Sequence, residues 1–319
     1  MDYFAGIIGQ GRAINLLTKS MDNGNISHAY LFSGPSGVGK MQVAVAFAYS
    51  LICLQDKQAG IYFSENIHPD LLIIEKLENR SLISKEQITD ELEPWLALKP
   101  YRAQRRVAII RDAHLMSLEA ANALLKTLEE PPLHALIILI SDDYNLLETI
   151  ISRCQLVRFF SLSEKDIVKY LLEQGIDEEK AVWAAQLSQG SISRALLFAR
   201  EEDLEQIWDT VIAIIKDLAL GRRAAIFEIS EKIQRAPDLS IKLMETILRD
   251  ALIAGKSRQQ GSFLAPEVPE LQKLLQGKDQ QKIMQAITEI DKLRTYYRRN
   301  VNTVLINTNI GYQLWEALQ

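Results

Sequence analysis

A glycine-rich segment, Gly34-Pro35-Ser36-Gly37-Val38-Gly39-Lys40, has the residue types and spacing that bind nucleotide phosphates. Its glycines allow successive backbone N–H groups to turn toward phosphate oxygens, and Lys40 can neutralise the terminal phosphates. The next position, where this pattern has a Ser or Thr hydroxyl for magnesium, is Met41. A thioether is a soft ligand, whereas magnesium prefers hard oxygen atoms. The segment therefore predicts a phosphate loop that has lost one metal ligand.

A second segment with potential metal chemistry runs from Arg106 to His114. In a phosphate-loop enzyme an apolar strand ends in an Asp that orders the magnesium, often with an adjacent Glu that polarises water. If Ile110 ends the strand, the metal position falls on Arg111 and the base position on Asp112. A shift by one residue makes Asp112 the metal ligand and leaves an alanine as the base. Because either register removes an essential group, we predict no intrinsic ATPase activity.

Composition limits the class of protein. The chain has 319 residues, 48% of them hydrophobic, and a formal net charge of −5, which fits two or three soluble domains without a generally basic surface. No apolar run is long enough for a membrane span, and the first residues lack a signal-peptide pattern, so we expect a cytoplasmic protein with no membrane contact. With Cys53 and Cys154 as the only cysteines, a disulfide framework or a four-cysteine metal site is excluded.

Strand-like and helix-like segments alternate in the first half of the chain, whereas the pattern after about residue 162 is helical. This order predicts an α/β domain with a parallel sheet, followed by all-α material. A helix from Ser117 to Glu129 is the best defined, because Ser117 can cap it and Pro131-Pro132 forbids its continuation. The predicted strands are Tyr30 to Ser33, Leu71 to Ile74, Val107 to Ile110, Leu136 to Ser141 and Leu156 to Phe160, each expected to be buried on both faces.

Two domain boundaries are predicted, one where the helical half begins and one within it. Ser163-Glu164-Lys165-Asp166 resembles a capping box that opens a new helix, and the charged cluster Arg200 to Asp203 is typical of a connector. We therefore predict an α/β domain at 1–161, a small helical domain at 162–203 and a helical bundle at 204–319. Within the bundle a loop is expected at 257–269. The predicted bundle helices are Leu204 to Leu220, Arg223 to Arg235, Ser240 to Ala254, Gln280 to Tyr297 and Val304 to Leu318.

Beyond the phosphate loop, short segments form an ordered set: Gly9-Gln10, His28 to Phe32, His68-Pro69-Asp70, Asn122 to Pro132, and Ser152-Arg153-Cys154. The set resembles the bacterial clamp-loader subunits of the AAA+ class, and most of all the delta-prime type of subunit in DNA polymerase III. The resemblance is specific over the first 200 residues. It is weaker beyond them, where Arg299-Asn300-Val301-Asn302 is similar to the family's last collar helix.

The resemblance implies roles for particular residues. In such complexes each ATP lies between neighbouring subunits, and the Arg of the Ser-Arg-Cys motif reaches the γ-phosphate in the next subunit. Arg153 would be this finger, with Ser152 and Cys154 positioning its turn. Its planar, permanently charged guanidinium suits phosphate oxygens. Arg194 matches a second sensor on the family's helical lid, which reads nucleotide on its own subunit.

The resemblance also implies partners and cofactors. The expected partners are gamma/tau-type and delta-type subunits in a hetero-oligomeric ring, with the sliding clamp and primer-template DNA reached through the complex. These subunits often carry a four-cysteine zinc module before the His-Pro-Asp segment, but only Cys53 stands there, so we expect no zinc and a packed Cys53 beside a surface or capping His68. No cofactor is expected to be required. The residual loop would bind ATP or ADP weakly.

Two alternatives remain open from the sequence. The first is an active clamp-loader ATPase of the gamma type, or another AAA+ ATPase, in which Asp112 holds the metal and Met41 is tolerated. The second is a non-catalytic AAA+ interaction module outside replication, whose helical half binds another partner. Magnesium-dependent hydrolysis by the purified chain would favour the first, and failure to recover polymerase III subunits with it would favour the second.

Overall fold

The computed structural model describes residues 3–54, 56, 60–63, 67–77, 80–142, 146–254, 268–294, 296–297 and 301–319. The chain forms two compact units, residues 1–196 and 197–319. The three-domain division with boundaries after residues 161 and 203 stays a prediction. The loop expected at 257–269 lies outside the described residues except for its last two positions, which begin a helix, and two of the four residues at 299–302 also lie outside them.

The first unit contains one five-stranded parallel sheet, as the sequence predicts. Its strand order is β2-β3-β4-β1-β5, so the phosphate loop follows a strand with neighbours on both sides. All five predicted strands are present, with ends within two residues of those expected. The strands are β1 Ala29–Ser33, β2 Leu71–Ile74, β3 Arg106–Ile110, β4 Ala135–Ser141 and β5 Gln155–Arg158.

Burial differs between the central and edge strands. Every residue of β1, β3 and β4 is buried, because helices cover both faces of the sheet and apolar side chains alternate between two cores. In β1, Tyr30 and Phe32 belong to one core, and Ala29 and Leu31 to the other. The expectation of two buried faces is wrong for β5, where only Val157 is buried. This strand lies at the sheet edge beside β1 alone, so solvent reaches it.

Before the bundle, the described residues form nine α-helices in addition to the five strands. Ser117 caps α5 as predicted, because its Oγ accepts the N–H of Ala120 at 3.1 Å, and Ser163 caps α7 in the same way through Asp166. A π-helical turn, Gln87–Leu92, and a 3-10 turn, Ala113–Leu115, were not predicted. The helices are α1 Gly11–Asp22, α2 Lys40–Ile52, α3 Gly60–Phe63, α4 Glu93–Ala97, α5 Leu118–Glu129, α6 Glu148–Ile151, α7 Glu164–Glu173, α8 Glu178–Leu187 and α9 Ile192–Arg200.

The second unit is helical, as predicted. Helix α13 was not predicted, whereas the other helices match predicted stretches. Within the described part of the chain, no helix combines the length and the apolar character needed to cross a membrane. The helices are α10 Leu204–Ala219, α11 Ala225–Lys232, α12 Pro237–Ala254, α13 Val268–Leu275, α14 Gln280–Arg294 and α15 Thr303–Ala317.

Glu245 on α12 makes the second unit sensitive to pH. Its Oε1 is buried and has no hydrogen-bond partner among the described residues. Burial, with a smaller contribution from Asp291, raises the pKa of Glu245 from about 4.5 to about 7, against the opposite effect of Arg294, Arg249 and Lys242. The folded state therefore favours the protonated carboxyl. The resulting cost to stability is absent below the unfolded pKa, grows as the pH rises, and is complete above about pH 7.

Replacing Glu245 with Gln is thus expected to raise the free energy of unfolding by about 3 kcal/mol at pH 8 and to change it little at pH 4, because the amide never ionises. Thermal unfolding at the two pH values measures this difference. Glu231→Gln, which removes the same charge from an exposed position, is the control. A gain that is equal at both pH values would contradict the role of ionisation.

Candidate functional site

The phosphate loop has the backbone that its sequence requires. Gly34, Gly37 and Gly39 have φ values of 151°, 72° and 100°, in the region that favours glycine. A Cβ on Gly34 would lie 2.3 Å from the carbonyl oxygen of Phe159, so this position is also closed to a side chain by packing. The loop joins β1 to α2, which begins at Lys40.

The Lys40 ammonium is fully occupied by the protein itself. Its Nζ lies 2.6 Å from the carbonyl oxygen of Gly34, 2.5 Å from that of Pro35 and 2.8 Å from Oδ1 of Asp142. The side chain is only 4% exposed. Because an ammonium has three N–H donors, these three acceptors satisfy it completely. A nucleotide phosphate would have to displace at least one of them.

The start of α9 covers the loop. The N–H of Ser193 donates to the carbonyl oxygen of Gly37 at 3.2 Å, and a Cβ on Gly37 would lie 2.2 Å from Oγ of Ser191. Beside them a cavity of about 90 Å³ is lined in part by Gly39, Gln42 and Ser193. Sites for small ligands usually enclose roughly 300–1,000 Å³. This cavity, formed by described residues, is much smaller than a usual nucleotide site.

Arg111 and Asp112 follow β3 in the way that the first of the two predicted registers requires, and their assignment as metal and base positions stays a prediction. Strand β3 ends at Ile110, so Arg111 and Asp112 follow it directly. The Arg111 guanidinium points to Glu75, with Nη1 3.1 Å from Oε2, and Asp112 has a φ of 52° at the start of the 3-10 turn. The Met41 side chain packs against the apolar core on its side of the sheet. None of these arrangements offers a hard oxygen ligand at the Met41 position.

Asp112, His114 and Asp142 are the described residues whose ligand atoms come close enough together to hold a cation, within 4.8 Å of one another. The Nδ1 of His114 accepts the Asp142 N–H at 3.4 Å, and Asp142 is paired with Lys40. With Nδ1 as acceptor, a neutral imidazole carries its proton on Nε2 and cannot ligate through that atom. The positive charge of Lys40 further opposes a metal here, and we assign none.

Arg153 lies in the turn between α6 and β5. Its Nη2 is 2.6 Å from Oε1 of Glu129, and its Nη1 donates to the carbonyl oxygen of Thr149 at 2.9 Å. The hydroxyl of Ser152 donates to the same carbonyl at 3.1 Å, which stabilises the turn. Burial raises the pKa of Cys154 to about 12, so the thiol is neutral and packs against the core. Ser152 and Cys154 thus hold the turn from which Arg153 projects.

Arg153 and the phosphate loop lie at opposite ends of the parallel strands, which we call the amino and carboxyl edges of the sheet. Strands β1 and β5 are parallel, with Tyr30 beside Gln155 and Ser33 beside Arg158. The loop follows Ser33 at the carboxyl edge, whereas Arg153 precedes Gln155 at the amino edge. At about 3.3 Å per residue, the four residues of β5 span roughly 13 Å between these edges.

Gln10 contacts the phosphate loop, a role that the sequence did not predict. It is 3% exposed, and its Nε2 donates to the carbonyl oxygens of Val38 at 3.1 Å and Phe160 at 2.8 Å. Its only signal in the sequence was the Gly9-Gln10 pair. Arg194 lies on α9, partly buried, three residues after Ser191, whose Oγ accepts its backbone N–H at 3.4 Å. The structure thus places Arg194 on the helix that covers the loop.

A buried polar network surrounds the His-Pro-Asp segment. His68 is buried rather than at the surface: its Nδ1 accepts the Asp70 N–H at 3.0 Å, which is a capping contact, and its Nε2 lies 3.2 Å from Oδ2 of Asp56. Asp56 also pairs with Arg102 at 2.6 Å. Cys53 is partly buried at the end of α2 and packs against the core. Ion pairs and hydrogen bonds fasten the described part of this region.

The parallel sheet, the phosphate loop and the helical cover define a protein of the AAA+ class. A family model described as "DNA polymerase III, delta subunit" matches residues 9–163. The delta-prime subunit of DNA polymerase III from Bacillus subtilis is 30% identical over 257 residues, which are 76% of this chain and 77% of that protein. The chain therefore belongs to the family of DNA polymerase III clamp-loader subunits that includes delta-prime.

Gamma-type subunits are also similar. The DNA polymerase III gamma subunit of Buchnera aphidicola from Acyrthosiphon pisum is 32% identical over 188 residues, 56% of this chain and 52% of that protein. The chain thus spans about half the length of this relative. A solved Thermotoga maritima protein, described as related to the gamma subunit of DNA polymerase III, is similar over 98% of this chain and 100% of that one, with 17% identity and a TM-score of 0.48.

Proposed function

We propose that this chain is a non-hydrolysing, delta-prime-type subunit of the bacterial clamp loader. It would help to load the sliding clamp onto primed DNA and would supply Arg153 to the ATP site of a neighbouring subunit. The absence of hydrolysis is supported above all by Lys40, because its three N–H donors are already bound by Gly34, Pro35 and Asp142. A lysine in this state contributes nothing to phosphate binding until those contacts break.

The missing metal chemistry supports the same proposal. Magnesium in such sites is held by oxygen ligands and bridges the phosphates, where it neutralises developing charge. Here Met41 packs against the core, Arg111 pairs with Glu75, and Asp112 is too short to replace a catalytic Glu at the same position. The chain would bind ATP or ADP weakly at most, and without help from magnesium.

The position of Arg153 supports its action on another subunit. It is partly exposed and lies at the opposite edge of the sheet from its own loop. A guanidinium offers a planar fork for phosphate oxygens, and a finger supplied in trans is a known way to stabilise the charge of the transition state. By analogy with the relatives, the neighbours would be gamma/tau-type and delta-type subunits in a hetero-oligomeric ring, with clamp and DNA contacted through the complex.

Two measurements test this function. The isolated chain should show no magnesium-dependent ATP hydrolysis, and any ATP or ADP binding detected by calorimetry should be the same with and without magnesium. In a reconstitution with gamma/tau and delta subunits, omission of this chain should abolish clamp loading onto primed DNA. Magnesium-dependent turnover by the chain alone would instead indicate a gamma-type ATPase, and failure to assemble with these subunits would indicate a module outside replication.

Asp142→Asn is expected to increase the affinity of the isolated chain for ATP about tenfold in the absence of magnesium. The substitution removes the carboxylate that neutralises Lys40, so that the triphosphate no longer competes with a charged partner. Calorimetric titration measures the change. Asp112→Asn is the matched control, because it removes a neighbouring charge that pairs with Arg111 rather than with Lys40. Equal affinities for the two variants would argue against Asp142 as the blocking group.

A further inference from the structure

Glu129 contacts Arg153 from a different element of the fold. It is the last residue of α5, and its Oε1 lies 2.6 Å from Nη2 of Arg153 although 24 residues separate them. The carbonyl oxygen of Thr149 holds Nη1 of the same guanidinium at 2.9 Å. The Arg153 guanidinium is thus fixed from two sides.

The contacts leave part of the guanidinium open. Within the part of the chain that the structure describes, the Nε–H of Arg153 has no hydrogen-bond partner. The Arg153 side chain is 34% exposed and that of Glu129 is 52% exposed, so the pair lies at the surface. One set of donors therefore anchors the side chain while another remains available to an acceptor from outside.

We propose that Glu129 is a positioning residue that holds Arg153 ready for a phosphate of the neighbouring subunit, an inference that rests on the function proposed above. A free arginine side chain at a surface samples many rotamers, and the loss of this rotamer entropy opposes its fixation. A carboxylate that fixes the guanidinium beforehand reduces this cost at the moment of reaction. Glu129 itself does not touch nucleotide.

The chain provides a matched control in the next residue. Glu130 follows Glu129 at the end of α5, is exposed, and carries the same charge, so Glu130→Ala removes an equal charge from the same place. No contact of Glu130 with Arg153 is present among the described residues. A purely electrostatic or structural effect of this helix end would appear in both variants.

The test is a double-mutant cycle in the reconstituted complex with Glu129→Ala, Arg153→Ala and the double variant. Exposed ion pairs contribute modestly, so Glu129→Ala should lower kcat of the neighbouring ATPase about three- to fivefold, with KM unchanged and assembly intact. Glu130→Ala should leave kcat as it is, and Glu129→Asp should restore part of the loss. In the Arg153→Ala background, removal of Glu129 should have no further effect.

A second readout uses the chain without its partners. Arg153 should react faster with an arginine-selective dicarbonyl in Glu129→Ala than in the wild type, as followed by mass spectrometry of the peptide, whereas Glu130→Ala should leave the rate unchanged. If Arg153→Ala slows ATP turnover but Glu129→Ala leaves or raises it, the positioning role is wrong and the proposed function stands. If Arg153→Ala has no effect, both proposals fall.

Discussion

Replacing Arg153 with Ala is expected to lower ATP turnover at the site shared with the neighbouring subunit by about 10³-fold, the scale of an arginine finger. The Arg153 guanidinium is the only group that we propose this chain contributes to that site. Its removal leaves the turn formed by Ser152 and Cys154 in place. Because a ring contains several ATP sites, the measurement requires a complex in which only that neighbour has an intact phosphate-loop lysine. Single-turnover hydrolysis in this complex reports the shared site directly.

Two further variants make the result specific. Arg153→Lys keeps the charge but loses the planar fork, so its turnover should lie between those of the wild type and the Ala variant. Arg158→Ala removes an exposed arginine from β5, the strand that follows the Arg153 turn, and should change turnover little. Intact assembly in every complex is checked by size-exclusion chromatography. Wild-type turnover with Arg153→Ala would refute the finger role, whatever the chain contributes to assembly.

The sequence predicted the sheet because its signal is local. Each of the runs that form β1, β3 and β4 consists mainly of apolar residues between polar breaks, and such runs are buried wherever helices cover both faces of a sheet. The end of α5 was equally clear, since two prolines follow it. The exposure of β5 was missed because strand order, rather than strand composition, decides which strand lies at an edge.

Two of the three helical elements that the sequence did not predict, the π-helical turn and α13, were missed for similar reasons. The π-helical turn Gln87–Leu92 is stabilised by contacts outside its own sequence, with the Gln87 side chain donating to the carbonyl oxygen of Glu75 at 2.8 Å and accepting the N–H of Ser84 at 3.2 Å. Helix α13 is only eight residues long and begins with Val268 and Pro269, which the sequence assigns to the end of a predicted loop. Short elements have too little periodicity to be recognised from sequence alone.

The candidate site was predicted in part. The loss of a metal ligand at Met41 could be read from one position, because the loop pattern fixes what belongs there. The occupation of Lys40 could not, since Asp142 comes from the end of β4, about a hundred residues later, and meets Lys40 only because parallel strands end at the same edge. The contact of Gln10 with Phe160, 150 residues away, is of the same kind.

The second large effect is expected from Asp70, which follows His68 in the buried network. Its carboxylate is fully buried and accepts the backbone N–H groups of Tyr101 at 2.7 Å, Arg102 at 2.7 Å and Ala103 at 2.9 Å. The buried Arg106 guanidinium lies 3.7 Å away. Asp70→Ala would leave these three backbone donors without their acceptor and the buried Arg106 guanidinium without its nearby carboxylate, which should cost about 4 kcal/mol of folding free energy.

Hydrogen exchange resolves this loss at the residues concerned, because a chain of two units does not unfold as a single state. In Asp70→Ala the amides of Tyr101, Arg102 and Ala103 should exchange much faster than in the wild type. Asp177→Ala is the matched control: the Asp177 carboxylate also accepts backbone N–H groups, from Glu179 at 2.9 Å and Lys180 at 3.4 Å, but at an exposed helix start.

Water replaces the lost acceptor at Asp177, so that variant should lose about 1 kcal/mol, the usual cost of removing a helix cap. The difference between the two variants isolates burial, since both remove a carboxylate that binds backbone donors. Equal losses would mean that burial adds nothing and that the network around Asp70 is an ordinary set of turns. A much larger loss at Asp70 would show that this carboxylate stabilises the connection between β2 and β3. It would thereby also hold β3, the strand that Arg111 and Asp112 directly follow.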